Sequence, residues 1–265
     1  VTDILDHGYV KLLDSMGDDL AIVNAARTSF DGEAFLHMQS CPLVSNGKQK
    51  SHEWDECRCQ EWHDDSHPYR DDPRANLSKQ DAGLINFLMR ERHGTPFEMI
   101  QFKFAVKAPI FVFREWHRHR IASINEMSGR YVELPREFYV PARDDIREQK
   151  GKPGAYYYER MKDDGTARAV QDELKYHCNE AFNTYEHFLN IGIAKEVARL
   201  VLPVNTYSKM VWSVNLRSLM NFLSLRNHEH AQREIRYYAE AMEQMAFDVA
   251  PVAMQRFVDN GRKAP

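Results

Sequence analysis

Ile100, Phe102, Phe104 and Val106 alternate with Gln101, Lys103, Ala105 and Lys107, a period of two that fits a half-exposed strand with one face in the core. Pro109 ends or breaks it. The next apolar run, Ile110-Phe111-Val112-Phe113, reads as strand-like and delivers the chain directly into Arg114-Glu115-Trp116-His117-Arg118-His119-Arg120. Any fold for this chain must therefore hold a sheet whose continuation fixes an arginine-rich segment in space.

Around this strand the pattern is mixed. Tyr9 to Leu13 reads as a strand, and Asp18-Asp19-Leu20 opens a helix through Ile22, Val23 and Ala26, with acids at its positive end, closing near Arg27-Thr28-Ser29. Leu84, Ile85, Phe87 and Leu88 mark a short helix before the turn-like His93-Gly94-Thr95-Pro96. Val170, Leu174, Cys178, Phe182, Tyr185 and Leu189 recur at helical steps, with Gly192 placed to terminate them. A short helix follows from about Lys195 to Leu202, stopped by Pro203. Another follows Asn215 through Leu216, Leu219, Met220 and Leu223, and a longer one through Ile235, Tyr238, Met242, Met245 and Val249 ends before Pro251. Strands early and helices late predict an α+β fold, a mostly antiparallel sheet packed with helices and a helical C-terminal half. From about residue 31 to 79 the periodicity vanishes, which reads as an insertion in a single domain spanning 1–265.

With 265 residues, 43% of them hydrophobic, the chain can bury a substantial core. Acidic residues (39) outnumber basic ones (35) for a net charge of -4, so nothing attracts nucleic acid or an anionic membrane in general, and any anion must meet locally concentrated positive charge. Neither a signal-like start nor an apolar run of membrane-spanning length is present, so the expectation is a soluble, cytoplasmic protein with reduced thiols. Cys41, His52, Cys57, Cys59, His63 and His67 crowd the insertion, but Cys57-Arg58-Cys59 is tighter than structural zinc spacing; they are read as ordinary loop residues, and no metal is expected.

The densest chemistry lies between Arg118 and Tyr131. Arg118, Arg120 and Arg130 supply planar forks that bind phosphate oxygens in pairs and stack on flat rings. Glu126 adds a carboxylate, and Ser128-Gly129 a hydroxyl and a closely approachable backbone amide. This pattern points to a phosphate-bearing planar heterocycle. A second polar set, Asn215, Arg217, Asn221, Arg226 and His230, falls at helical spacing among apolar residues. No G-x-G-x-x-G loop, Walker sequence or Gly-x-Ser-x-Gly elbow is present, and Cys178 lies on an apolar helical face, as a packed core thiol would.

Arg118-His119-Arg120, seven residues, then Ser128 resembles the signature of the flavin-dependent thymidylate synthases. Ala25 to Phe30, His93 to Glu98, Glu196 to Pro203 and Asn215 to Leu223 are similar to further family segments, in the same order. The resemblance implies an α+β homotetramer with active sites between subunits and FAD held outside any Rossmann turn. It also implies methylene transfer from 5,10-methylenetetrahydrofolate to dUMP and reduction to dTMP, with NADPH reducing the flavin and no cysteine nucleophile. Carried over residue by residue, it assigns Ser29, Thr95, Arg118, His119, Arg120, Glu126, Asn215, Arg217 and Asn221 to the FAD neighbourhood. To dUMP it assigns Glu115, Trp116, Arg118, Glu126, Ser128, Gly129, Arg130, Arg199 and Arg226, with His93 near the flavin ring and folate, and His230 more weakly. Arg226 is the expected catalytic residue, since a guanidinium beside the uracil N3 and its carbonyl favours the anionic ring and makes C5 more nucleophilic. Ser128 is not expected to act as a nucleophile, because no orienting triad accompanies it.

Overall fold

The computed structural model describes residues 1–29, 77 and 79–265. Seven strands are described: β1 (Thr2–Ile4), β2 (Gly8–Met16), β3 (Gln101–Pro109), β4 (Ser123–Glu126), β5 (Arg147–Lys152), β6 (Ala155–Arg160) and β7 (Tyr207–Asn215). The helices are α1 (Asp19–Thr28), α2 (Lys79–Arg90), α3 (Ile110–Trp116), α4 (Asp164–Asn190), α5 (Lys195–Ala198), α6 (Leu216–Arg226), α7 (Arg233–Val249) and α8 (Pro251–Asp259). A five-stranded sheet has the order β1-β2-β3-β7-β4, and β5 and β6 form a separate antiparallel pair. The fold is α+β, with a sheet that is antiparallel where β1 meets β2.

Much of the local structure follows from caps and burial. Asp18 opens α1 by accepting the Leu20 N–H at 2.9 Å, and Ile22, Val23 and Ala26 are buried. Asp163 opens α4 by accepting from Gly165 and Thr166, and Gly192, at φ +84, closes its end in a conformation that disfavours other residues. In β3 the alternation buries Phe102, Phe104 and Val106 and exposes Lys103. It lapses at Lys107, which is nearly buried because its ammonium pairs with Glu137 at 2.8 Å.

Three expectations need correction. Ile110 to Phe113 is helical, the start of α3, not strand-like: Pro109 caps it in extended conformation, and Val112, Phe113 and Trp116 share the buried side. A run of four apolar residues cannot by itself separate the two periods. The C-terminal half is not purely helical, since β7 lies between β3 and β4 and buries Met210, Trp212 and Val214 at a period of two. Finally, the first part of the α4 stripe is exposed, with Val170 at 38% and Leu174 at 36%, while Ala167, Cys178, Phe182 and Tyr185 carry the buried face.

The chain divides into two compact units, with boundaries falling inside β2, β3, β4 and β7 and between Arg118 and His119. One comprises Val1–Lys11, Ala105–Arg118 and Ile124–Trp212; the other comprises Leu12–Phe104, His119–Ser123 and Ser213–Pro265. In the first, Trp116 stands edge-on to Trp212 at 5.3 Å, and Phe182, Tyr185 and Ala198 form a cluster with Leu134 and Phe138 against it. In the second, Leu216, Leu219, Met220, Phe222 and Leu223 of α6 are fully buried, as are Ile235, Tyr238 and Met242 of α7 and Met254 and Phe257 of α8. Among the described residues no helix is long and apolar enough to cross a membrane, and no group of three or more His, Cys, Asp or Glu could hold a metal ion. Cys41, His52, Cys57, Cys59, His63 and His67 lie outside the described residues.

Candidate functional site

The first unit holds most of the residues expected at dUMP. α3 ends at Glu115 and Trp116; the indole is fully buried, a burial worth about 3 kcal/mol, so the segment after it leaves from a fixed point. The Trp116 indole thus lies in the core of the unit, and exposed Arg118 follows two residues on. Glu126, at the end of β4, accepts the Ser208 hydroxyl at 2.7 Å and lies 3.5 Å from His117 Nε2. The Met127 N–H donates to the Lys209 carbonyl at 2.8 Å, tying this segment beside β7.

The chain then turns on Ser128, whose carbonyl accepts from Tyr131 and Val132 and whose Oγ accepts the Arg130 N–H at 3.3 Å. Gly129 is buried, and a Cβ there would stand 3.2 Å from Arg199 Cδ and equally close to Leu134 Cδ1. Its smallness therefore admits the Arg199 stem. Arg130 Nε donates to Glu196 Oε2 at 2.9 Å. Ser128, Gly129, Arg130, Glu196 and Arg199 thus form one cluster, two guanidiniums beside a turn with a hydroxyl. Arg130 can accept a phosphate only by sharing it with, or taking it in place of, an exposed Glu196 carboxylate, an inexpensive exchange for a solvated pair.

The second unit holds most of the residues expected at the flavin; Arg118 and Glu126 lie in the first. A cavity of ≈ 690 Å³ in the second unit is lined by Ser29, Phe87, His93, Gly94, Thr95 and Arg217, among others, whereas a cavity of ≈ 530 Å³ in the first unit is lined by Arg143 and Arg160 and by none of the expected site residues. Ser29 caps the end of α1, and His93 and Thr95 lie on the turn after α2, with the His93 ring edge-on to Phe87 at 5.7 Å. Arg217 donates from Nη1 to Glu98 at 2.6 Å and from Nε to the Pro265 backbone oxygen at 3.1 Å. A Cβ on Gly94 would stand 2.6 Å from Arg217 Cζ, so only glycine leaves the guanidinium its place.

Asn215 has a structural duty too: its side-chain oxygen caps α6 by accepting the Ser218 N–H at 2.8 Å, leaving the amide –NH2 as the group it can offer a ligand. Asn221 and Arg217, four residues apart on α6, are both exposed, as are Arg120 and His230. At the end of α6, Arg226 Nε donates to His119 Nε2 at 3.1 Å, and the imidazole stands edge-on to Phe222 at 4.9 Å. Burial first, and then the Arg226 charge, pull the His119 pKa down to about 4, so this imidazole is neutral at ordinary pH.

Partners that residue-by-residue reasoning passed over are Glu98, Glu196, His117 and Ser208. The two acids stood inside segments that already matched, His93 to Glu98 and Glu196 to Pro203, but nothing in their spacing paired either with an arginine 66 or 119 positions away. His117 and Ser208 carried no spacing signal.

The donor set fits a flavin nucleotide: a cavity of ordinary ligand size, an aromatic wall, hydroxyls and a guanidinium suited to an anionic group. The model for the family described as thymidylate synthase complementing protein matches residues 11–252. A flavin-dependent thymidylate synthase of Gluconobacter oxydans is 40% identical over 243 residues, covering 91% of this chain and 66% of that protein. One of Thermotoga neapolitana is 37% identical over 255 residues, covering 96% of this chain and 93% of that protein. Among solved structures, a UMP/dUMP methylase, PolB, from Streptomyces cacaoi bound with 5-Br UMP is 37% identical, with a TM-score of 0.77 and each chain fully covered. With the match running from β2 into α8, the chain belongs to the thymidylate synthase complementing protein family, the flavin-dependent thymidylate synthases, which are methyltransferases.

Proposed function

We propose that the flavin-dependent thymidylate synthesis that comes with this family runs here from dUMP to dTMP. In this reading 5,10-methylenetetrahydrofolate gives the carbon, NADPH the reducing equivalents, and FAD is the flavin. The enzyme works in the cytoplasm as a homotetramer whose active sites form between subunits, with residues 1–265 acting as one catalytic domain. When bound, the flavin supplies hydride transfer and the carbon-transfer chemistry.

The protein's own groups bind, align and polarise. Ser29, Thr95, Arg217, Asn215 and Asn221 would hold the flavin with His119 and Arg120, and His93 would face its ring and the folate. Arg118 and Glu126 belong to both ligand sets. Glu115, Trp116, Ser128, Gly129, Arg130 and Arg199 would hold dUMP, the guanidiniums meeting its phosphate. Arg226 would draw negative charge onto the uracil ring and so raise the nucleophilicity of C5.

One observation carries the flavin assignment: stretches distant in the chain, Ser29, His93 to Thr95 and Arg217, line a single cavity of ≈ 690 Å³. The purified protein should show flavin absorption bands that change on adding dUMP, and should form dTMP when dUMP, methylenetetrahydrofolate and NADPH are all present. A colourless protein that also refuses added FAD would overturn the assignment. Replacing Arg226 by Ala should impair turnover far more than flavin retention; parallel loss of both would show that the residue serves the cofactor instead.

A further inference from the structure

We propose that His119 is a positioning residue for Arg226, its Nε2 accepting the Arg226 Nε–H at 3.1 Å and thereby fixing the plane in which the guanidinium meets the substrate ring. The proposal rests on the reading of Arg226 as the group that activates dUMP. It gives the middle residue of Arg118-His119-Arg120 a role toward a side chain, besides any toward the flavin.

Arg226 is the last residue of α6, at the tip of a flexible stem. Its Nε is the pivot of the planar fork, so an acceptor placed there sets the direction of both Nη groups at once. That acceptor is itself held, because Phe222, one helical turn before Arg226, meets the imidazole edge at an interplanar angle of 70°. Phe222 is fully buried and cannot drift. The aromatic ring, the imidazole and the guanidinium therefore form a chain of contacts anchored in the α6 core.

Neutrality explains why a histidine suits the position. A carboxylate accepting from Arg226 would cancel the positive charge that must act on the uracil ring. An imidazole accepts the same hydrogen without doing so, provided Nε2 carries no proton. A pKa of about 4 leaves the ring neutral, and the hydrogen that Nε2 accepts from Arg226 puts the one remaining imidazole proton on Nδ1.

The test compares His119→Phe, which keeps a ring against Phe222 but has no acceptor, with His119→Gln, which restores an acceptor near the Nε2 position. Expected for His119→Phe is a kcat per bound flavin lowered roughly 10- to 100-fold, with the KM for dUMP moved less than about threefold. His119→Gln should recover most of that loss, and adding His119→Phe to Arg226→Ala should cost nothing further. A Gln variant as impaired as Phe, a loss that disappears when rates are expressed per bound flavin, or additive losses in the double variant would each overturn the proposal. If Arg226→Ala turns over normally, the activation reading fails and takes the proposal with it. An impaired Arg226→Ala beside a normal His119→Phe removes the positioning role alone. Should His119→Phe not fold, histidine-selective ¹⁵N spectra of the unaltered protein decide: Nε2 unprotonated at neutral pH and shifted by Arg226→Ala supports the proposal, and a protonated Nε2 overturns it.

Discussion

Gly94 shows how a single missing atom can serve a binding site. Its φ of -73 is ordinary, so the backbone does not demand glycine; the reason is the Arg217 guanidinium, which occupies the space a Cβ would need. In Gly94→Ala the crowded group is the end of a flexible side chain, and it can swing away without moving the backbone. The ion pair it would leave, Arg217 with Glu98, has side chains 46% and 35% exposed and so contributes at most about 1 kcal/mol. Gly94→Ala should accordingly leave the melting temperature nearly unchanged while weakening FAD binding by roughly tenfold, about 1.4 kcal/mol. Titration of the apoprotein with FAD beside a thermal melt checks this. A large drop in melting temperature would assign Gly94 to folding, and unchanged FAD affinity would remove Arg217 from the flavin site.

At the level of elements, α8 has a cap supplied from α1. Asp19 is buried, and its carboxylate accepts the Val252 N–H at 2.8 Å and the Ala253 N–H at 2.7 Å, in the first turn of α8. Burial outweighs these two bonds and, with a smaller push from Asp18, raises the pKa from 3.8 to about 6. Between those two values the folded chain binds a proton that the unfolded chain does not, so stability from this group rises as pH falls through 6 toward 4, and is lost as pH rises past 6. Relative to Asp19→Asn, the unaltered protein should gain on the order of 2–3 kcal/mol between about pH 7 and pH 4, read by urea denaturation at each pH. A constant difference would show that the carboxylate titrates as it does in the unfolded chain. Neither this cap nor α8 itself was legible in the sequence, where Pro251 read as a stop and proved to be the first residue of a new helix. α1, α6 and α7 were legible because each carries its own cap or apolar stripe. β7 carried a period-two signal in Met210, Trp212 and Val214 that the neighbouring helical patterns obscured, and the β5–β6 pair had none, since every residue of β6 is exposed.

At the scale of the whole molecule, the arginines and the signature around them were legible because binding chemistry fixes residue types at set spacings. Their acidic partners were not, because Arg130 meets Glu196 and Arg217 meets Glu98 across long stretches of chain that only folding brings together. The same contrast bears on whether any thiol in the chain takes part in the reaction. Cys178 shares the first unit with the residues expected at dUMP, yet it is only 4% exposed, and its sulfur lies 3.2 Å from the Asn205 amide nitrogen, which also donates to the Tyr139 carbonyl at 2.7 Å. A nucleophilic cysteine needs an accessible thiolate beside a base or a cation, and this one is packed against an amide. Cys178→Ala should cost about 1 kcal/mol of stability for the atom removed and leave dTMP formation within about twofold. A variant with Cys41, Cys57, Cys59 and Cys178 all changed to Ala extends the test to the full chain, and it too should turn over when loaded with flavin. If that variant is folded, flavin-loaded and inert while Cys178→Ala is active, the reacting thiol lies among Cys41, Cys57 and Cys59. If Cys178→Ala alone is inert, a buried sulfur performs chemistry that its surroundings give it no means to perform, and substrate activation by Arg226 would cease to be a sufficient account of the reaction.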